Sequence, residues 1–265
     1  MIKLIASDVD GTLIKDSTPD LYPEMVEAIK RLKEEGILFC AASGRQYASL
    51  KNVFREVVDD IAYIAENGAH IRYQHKNISV TPMKQEHIEG IMEMLRPYYG
   101  ECETMISTVN GALVESKNKE FIDLLTYGYH NDFRQVKDVL AEKEEIIKIA
   151  VYRKGSIREL GTSHFIPEWN GQVKACMAGE EWVDFMDSSV DKGKGLKILE
   201  NYLSITREET MAFGDNNNDI GMMKAAGISY AVDTAVEEVK EAADRICPGW
   251  KEKGVWQVIN KKFFP

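Results

Sequence analysis

Residues 4–12 read Leu-Ile-Ala-Ser-Asp-Val-Asp-Gly-Thr. The apolar run Leu4-Ile5-Ala6 leads almost directly into two aspartates, Asp8 and Asp10, and then into a glycine. A short apolar run without polar alternation, closed by polar and glycine residues, is typical of a buried parallel strand that ends in a loop. This stretch therefore predicts a strand of a parallel sheet with two carboxylates at its C-terminal end.

The same pattern recurs further along the chain. The segments expected after the first strand are a helix from Pro23 to about Gly36, strand 37–42, helix 46–58 and strand 62–65. Strand 37–42 stops at Ser43-Gly44-Arg45, and strand 62–65 stops at Glu66-Asn67-Gly68. Alternation of strands and helices in this order predicts an α/β fold with a doubly wound, Rossmann-like parallel sheet.

The pattern changes after about Thr81 and returns after Val190. Between these points we expect helix 85–98, strand 146–152 and a hairpin with arms 173–177 and 181–186. After them we expect helix 193–203, strand 210–213, a helix through Met222 and strand 228–232. The prediction is a Rossmann-like core made of residues 1–81 and 187–265, interrupted by an inserted α+β domain of residues 82–186.

Charge and composition exclude several classes of function. The net charge of −10 is repelled by phosphate backbones, so we expect no nucleic-acid partner. The four cysteines form no CxxC motif, which disfavours a zinc site or a disulfide framework. No apolar run approaches the length of a membrane span, and the residues before Asp8 are too few for the apolar core of a signal peptide. We therefore expect a cytoplasmic protein with no membrane partner, as a monomer or a small homo-oligomer.

Three strand ends of the predicted sheet carry polar side chains. They deliver Asp8 and Asp10, then Ser43 and Gly44, then Asp215, Asn218 and Asp219. Ligands bind at the C-terminal edge of open parallel sheets, so these residues are expected to converge there. One such aspartate alone would more often be a helix cap or a turn residue. Two Asp-rich loops at one edge favour a hard divalent cation, and Mg²⁺ accepts carboxylate and carbonyl oxygens.

Four motifs in order resemble those of the haloacid dehalogenase superfamily. They are Asp8-Val9-Asp10-Gly11-Thr12, Ser43-Gly44, Lys192 within Asp191-Lys192-Gly193-Lys194-Gly195, and Gly214-Asp215-Asn216-Asn217-Asn218-Asp219. The last motif, the Ser-Gly-Arg triplet and the long insertion are similar to the Cof-type branch, whose members are phosphatases of sugar phosphates and other metabolites. The resemblance covers about residues 1–81 and 187–265, and it implies that residues 82–186 form a cap over the active site.

The resemblance implies a role for each core residue. Asp8 would attack phosphorus and form an aspartyl phosphate, while Asp10 would protonate the leaving group and later deprotonate water. The expected phosphate-binding groups are the backbone N–H groups of Val9 and Gly44, the Ser43 hydroxyl, Lys192 and Asn218, which bonds the phosphate or orients Lys192. The expected Mg²⁺ ligands are the Asp8 and Asp215 carboxylates and the Asp10 carbonyl. Thr12 is expected to hold Asp10 by a hydrogen bond, and Asp219 to hold a water of the magnesium shell.

Some assignments stay open from sequence. Arg45 either reaches the substrate or only begins a helix, and the second interpretation is favoured. In the cap the residues considered as substrate selectors are His164, Glu168, Trp169, Asn170 and Lys174, although each alone is more often a packing or surface residue. The expected partner is a small phosphorylated metabolite such as a hexose phosphate, erythrose phosphate, pyridoxal phosphate or flavin mononucleotide. The alternatives are a phosphomutase of the same superfamily and a sugar-phosphate-binding regulatory module.

Overall fold

The structure is a computed structural model that describes residues 1–15 and 20–265. It divides into two compact units. The core unit consists of Met1–Ser79 and Asp191–Pro265, and the inserted unit is Val80–Val190. No helix among the described residues is both long and apolar enough to cross a membrane.

The strands and helices are numbered in chain order. The strands are β1 Leu4–Ser7, β2 Leu38–Ala42, β3 Ile61–Ala65, β4 His70–Tyr73, β5 Lys76–Val80, β6 Glu103–Thr108, β7 Gly111–Val114, β8 Phe133–Gln135, β9 Ile146–Tyr152, β10 Val173–Met177, β11 Trp182–Asp187, β12 Thr210–Gly214, β13 Ile228–Val232 and β14 Arg245–Cys247. The helices are α1 Pro23–Glu34, α2 Tyr47–Val53, α3 Gln85–Leu95, α4 Lys119–Asp123, α5 Arg158–Leu160, α6 Ile166–Glu168, α7 Lys192–Leu203, α8 Ile220–Ala225, α9 Glu237–Ala242 and α10 Gly254–Phe263.

The core unit is built on one sheet with the order β14-β13-β12-β1-β2-β3-β4-β5. The strands from β14 to β3 are parallel, and β4 returns antiparallel to β3. Every residue of β1, β3 and β12 is buried, which explains their continuous apolar sequences. The expected α/β fold with a doubly wound parallel sheet is therefore confirmed.

Two predicted helices end earlier than expected. The helix predicted over 46–58 ends at Val53, and residues 54–60 continue as turns in which backbone N–H groups bond to the carbonyl three residues earlier, as from Val57 to Phe54. The helix predicted over 85–98 ends at Leu95 and continues as one 3₁₀ turn. Pro97 lies in that turn, and a proline interior to an α-helix removes a backbone donor and clashes with the preceding turn.

The inserted unit has its own sheet, with the order β10-β11-β9-β6-β7-β8. The predicted hairpin is formed by β10 and β11, which pair antiparallel, and the predicted strand 146–152 is β9. One hydrophobic cluster includes Ile88 of α3, Phe185 of β11, and Phe165, which directly precedes α6. A second cluster includes Phe121 of α4 and has Trp182 packed against it.

Candidate active site

The topology brings three loops to one edge of the core sheet. Strand β1 lies between β12 and β2, and both neighbours are parallel to it. Ser7 at the end of β1 is in register with Phe213 on one side and Ala41 on the other. The residues that follow these strands, Asp8, Ser43 and Asp215, therefore emerge at the same C-terminal edge.

A buried lysine lies among the aspartates at this edge. Lys192, the first residue of α7, is fully buried. Its ammonium group lies 2.6 Å from Asp8 Oδ1 and 2.7 Å from Asp219 Oδ1. Lys192 is therefore no solvated surface residue, and its charge is shared by two carboxylates.

The aspartates carry more charge than this lysine can neutralise. Oxygens of Asp8, Asp215 and Asp219 all lie within 4.8 Å of one another. Three carboxylates and one ammonium leave two net negative charges, since three minus one is two. A divalent cation carries the opposite charge, and the group contains only hard oxygen donors, with no His or Cys. The residues present therefore fit Mg²⁺.

Burial and charge shift the protonation of this cluster. Burial raises the pKa of Asp8 well above its usual value, and the negative charges of Asp219 and Asp215 add to the effect that Lys192 opposes. Burial also raises the pKa of Asp215, and Asp219 contributes in the same direction. Burial disfavours the charged form of Lys192, but Asp219 and Asp8 outweigh it, so the pKa of Lys192 is raised. A bound cation would favour the ionised forms of Asp8 and Asp215.

The loop after β12 is held by Asp219. Its Oδ2 accepts hydrogen bonds from the backbone N–H groups of Asp215 (3.0 Å) and Asn216 (3.1 Å), while its Oδ1 binds Lys192. A Cβ atom on Gly214 would lie 2.5 Å from the Cβ of Asp219, so only glycine fits there. Asp219 thus fixes both the loop and the lysine, which leaves Asp8 and Asp215 as the carboxylates better placed for a metal ion. Its expected bond to a water of the magnesium shell stays a prediction.

The loop after β1 approaches Asp215 closely. Gly11 has φ of +85°, and a Cβ atom there would lie 2.5 Å from Asp215 Oδ2. The Thr12 hydroxyl donates to Asp215 Oδ1 at 2.6 Å. The expected hydrogen bond from this hydroxyl to Asp10 is wrong, because a hydroxyl has one proton and Asp215 accepts it. Thr12 therefore orients a carboxylate of the cluster.

Asp10 is instead held by Arg45. The Arg45 Nε donates to Asp10 Oδ2 at 2.6 Å, and its Nη2 donates to Asp10 Oδ1 at 2.5 Å. The interpretation of Arg45 as an ordinary residue at the start of a helix is wrong. The signal that could have found it was its place two residues after Ser43, on a loop already predicted to reach the site.

The predicted phosphate-binding residues lie in several loops of the site, and two of them, Ser43 and Gly44, follow β2. Ser43 is buried, and its Oγ accepts a hydrogen bond from the Arg45 N–H at 3.1 Å, so the hydroxyl proton stays available for another acceptor. Asn218 donates to Asn67 Oδ1 at 2.9 Å, which links two loops of the site. Lys192 is oriented by Asp8 and Asp219 rather than by Asn218. The roles of Val9, Ser43, Gly44 and Asn218 toward phosphate stay predictions.

The residues considered as selectors have varied surroundings within the inserted unit. Trp169 is part of its hydrophobic core and meets His87 edge to face, with ring centroids 5.9 Å apart. Lys174 donates to the Val190 carbonyl at 2.9 Å. The side chain of His164 is about half exposed. The packing interpretation holds for Trp169.

Comparisons with known proteins identify the family that this chain matches. A family model described as haloacid dehalogenase-like hydrolase matches residues 5–259. A crystal structure from Eubacterium rectale is 35% identical, covers 98% of both chains and has a TM-score of 0.87. A 5-amino-6-(5-phospho-D-ribitylamino)uracil phosphatase of Escherichia coli (strain K12) is 27% identical over 98% of this chain and 96% of its own. A solved sugar phosphatase of subclass IIB is 25% identical, covers 98% of both chains and has a TM-score of 0.82.

Proposed function

The chain belongs to the haloacid dehalogenase-like hydrolases, and from this premise we propose that it is a magnesium-dependent phosphatase of small phosphorylated metabolites. The observation that carries the proposal is the buried Asp8, paired with Lys192 at 2.6 Å inside a carboxylate cluster with two excess negative charges. Burying several carboxylates together costs folding free energy, and a bound cation offsets that cost. A cluster of this kind is therefore typical of a site for a cation and an anionic substrate.

We assign the nucleophile to Asp8. A phosphate monoester is very inert in water, so the rate must come from positioning and charge neutralisation. An Asp8 carboxylate oxygen bonds to phosphorus while the bond from phosphorus to the leaving oxygen breaks, which gives an aspartyl phosphate and an alkoxide. Asp10 donates its proton to that alkoxide. Asp10 then accepts a proton from water as the water oxygen attacks phosphorus and releases Asp8.

The same loops bind the phosphoryl group. Lys192 supplies a fixed positive charge, and it costs no reorganisation because Asp8 and Asp219 already hold it. The Ser43 hydroxyl and the backbone N–H groups of Val9 and Gly44 supply donors for phosphoryl oxygens. A Cβ atom on Gly44 would lie 3.2 Å from the Asn67 side chain, so glycine keeps this turn close to its neighbour.

The residues that would hold Mg²⁺ are the Asp8 and Asp215 carboxylates and the Asp10 backbone carbonyl. When bound, the ion supplies positive charge against the phosphoryl oxygens and lets a negative nucleophile approach them. Thr12 fixes one oxygen of Asp215, and Gly11 leaves room for the other. These contacts support the assignment of Asp215 as a ligand.

For the substrate we propose a phosphate ester of a polyhydroxylated carbon chain. The Escherichia coli relative acts, by its name, on a phosphoribitylamino compound, and the subclass IIB relative is named a sugar phosphatase. Ribityl and sugar phosphates share a phosphoryl group on a hydroxylated carbon chain. A sugar phosphate or a phosphorylated cofactor with such a chain fits this class.

The test is release of inorganic phosphate from a panel of phosphorylated metabolites, with Mg²⁺ and with EDTA. Wild type, Asp8→Asn and the control Asp59→Asn, an exposed carboxylate of the same unit, are measured side by side. We expect Mg²⁺-dependent release from wild type and the control, and background release from Asp8→Asn. Turnover that required a bisphosphate and released no phosphate would indicate a phosphomutase instead. Stabilisation by a sugar phosphate without any turnover would indicate a binding module.

A further inference from the structure

The Asp10–Arg45 contact differs from the surface ion pairs of the core unit. The guanidinium group binds both oxygens of one carboxylate, through Nε at 2.6 Å and Nη2 at 2.5 Å. The Arg45 side chain is only 11% exposed, whereas in the Arg55–Asp20 pair the side chains are 54% and 60% exposed. A two-point contact with a planar fork fixes the plane of a carboxylate as well as its distance.

Arg45 is itself anchored to the loops of the site. Its backbone N–H donates to Ser43 Oγ at 3.1 Å, and its carbonyl accepts from the Glu66 N–H at 3.1 Å. The backbone of Arg45 is thus tied to the loop after β2 and to the end of β3. The Arg45 side chain then binds Asp10 in the loop after β1, so the position of the Asp10 carboxylate depends on both of these anchors.

We propose that Arg45 is the positioning residue of Asp10: it holds the Asp10 carboxyl group at a set place relative to the Ser43 loop, where the phosphoryl group binds. This inference rests on the proposed function, in which Asp10 delivers a proton to the leaving oxygen. Proton delivery requires a distance of about 2.6–3.2 Å between the two heavy atoms, so a carboxyl group free to rotate loses much of its effect.

A positioning arginine and a substrate-binding arginine are expected to differ in their effects on kinetics. Protonation by Asp10 matters most when the leaving oxygen is strongly basic, as in an alkyl phosphate, and least for p-nitrophenolate. Substitution of a positioning residue should therefore lower kcat/KM selectively for alkyl esters, because kcat/KM covers the steps up to departure of the leaving group. An arginine that binds the phosphoryl group directly would raise KM for every ester alike.

The experiment compares kcat/KM for p-nitrophenyl phosphate and glucose 6-phosphate in wild type, Arg45→Lys and Arg45→Gln. Arg55→Lys is the matched control, because it changes an exposed Arg–Asp pair of the same unit. General acid–base catalysis contributes about 10²–10⁴-fold. We expect both Arg45 variants to lose about 10–100-fold for glucose 6-phosphate and less than about threefold for p-nitrophenyl phosphate. Lysine keeps the charge but not the fork, so it should not restore the rate.

A double-mutant cycle with Asp10→Asn gives the second readout. If Arg45 acts through Asp10, Arg45→Gln costs nothing further for glucose 6-phosphate once Asp10 is gone. Equal losses for both esters, a rise in KM alone, or full additivity in the cycle would each overturn the proposal. If Arg45→Gln does not fold, Arg45→Lys carries the same comparison. A wild type that releases no phosphate from these esters or from any member of the metabolite panel would defeat the proposed function, and this inference with it.

Discussion

Replacing Lys192 with methionine tests the electrostatic account of the site most directly. Methionine is unbranched and similar in length, so Lys192→Met removes the charge with little change in packing. The cluster of Asp8, Asp215 and Asp219 then has three negative charges and no buried ammonium group to offset them. We expect this variant to be destabilised and to lose phosphatase activity.

The magnitude follows from the burial of the pairs. Removing one partner of a buried ion pair costs about 3–5 kcal/mol, because the other charge stays buried and unpaired. Lys192 and Asp219 have fully buried side chains and Asp8 is 8% exposed, so this range applies rather than the ~0–1 kcal/mol of a surface pair. The carboxylates can escape part of the cost by binding protons. The loss should therefore be larger at pH 8 than at pH 5, and Mg²⁺ should recover part of it.

The assay is urea unfolding followed by circular dichroism, with and without Mg²⁺, at both pH values. Lys197→Met is the matched control, because Lys197 is an exposed lysine of the same helix. We expect the control to change the free energy of unfolding by less than about 0.5 kcal/mol. A loss below about 1 kcal/mol for Lys192→Met in metal-free protein at pH 8 would refute the reasoning, since it would mean that the buried charges do not depend on this lysine.

Three further results are expected. Gly11→Ala should lower the free energy of unfolding by about 1–2 kcal/mol, because φ is +85° and the new methyl group meets Asp215. It should also weaken Mg²⁺ binding in calorimetric titration, and an unchanged affinity would contradict this account. Thr12→Val should lower Mg²⁺ affinity through loss of the bond to Asp215, whereas Thr12→Ser should retain it; equal affinities would refute this role. The raised pKa values of Asp8 and Asp215 mean that the folded protein binds protons more readily than the unfolded chain. Without metal their contribution to stability should therefore fall as pH rises from the ordinary 3.8 through the raised values, so the gain in melting temperature on adding Mg²⁺ should grow over the same range; a gain independent of pH would contradict it.

The fold was predictable because its signals are local. Apolar runs that stop at polar loops define β1, β2 and β12 without reference to distant residues. Helix ends were harder to predict, since they depend on tertiary packing. Leu50, Val53, Phe54 and Val57 keep the spacing of one helix face and are all buried, so the apolar pattern does not show that the α-helix ends at Val53.

The sequence by itself determined which residues meet at the edge of the sheet, because the C-terminal ends of parallel strands share that edge. It could not determine which side chain bonds to which. Thr12 and Asp215 are 203 positions apart, and the choice of Asp215 over Asp10 depends on distances that only the packed loops fix. Arg45 binds Asp10, and Lys192 is buried rather than solvated, for the same reason. Strand order places a residue at an edge of the sheet. Hydrogen-bond partners depend on side-chain directions and on distances defined to within a few tenths of an ångström, and these are set only in the folded protein.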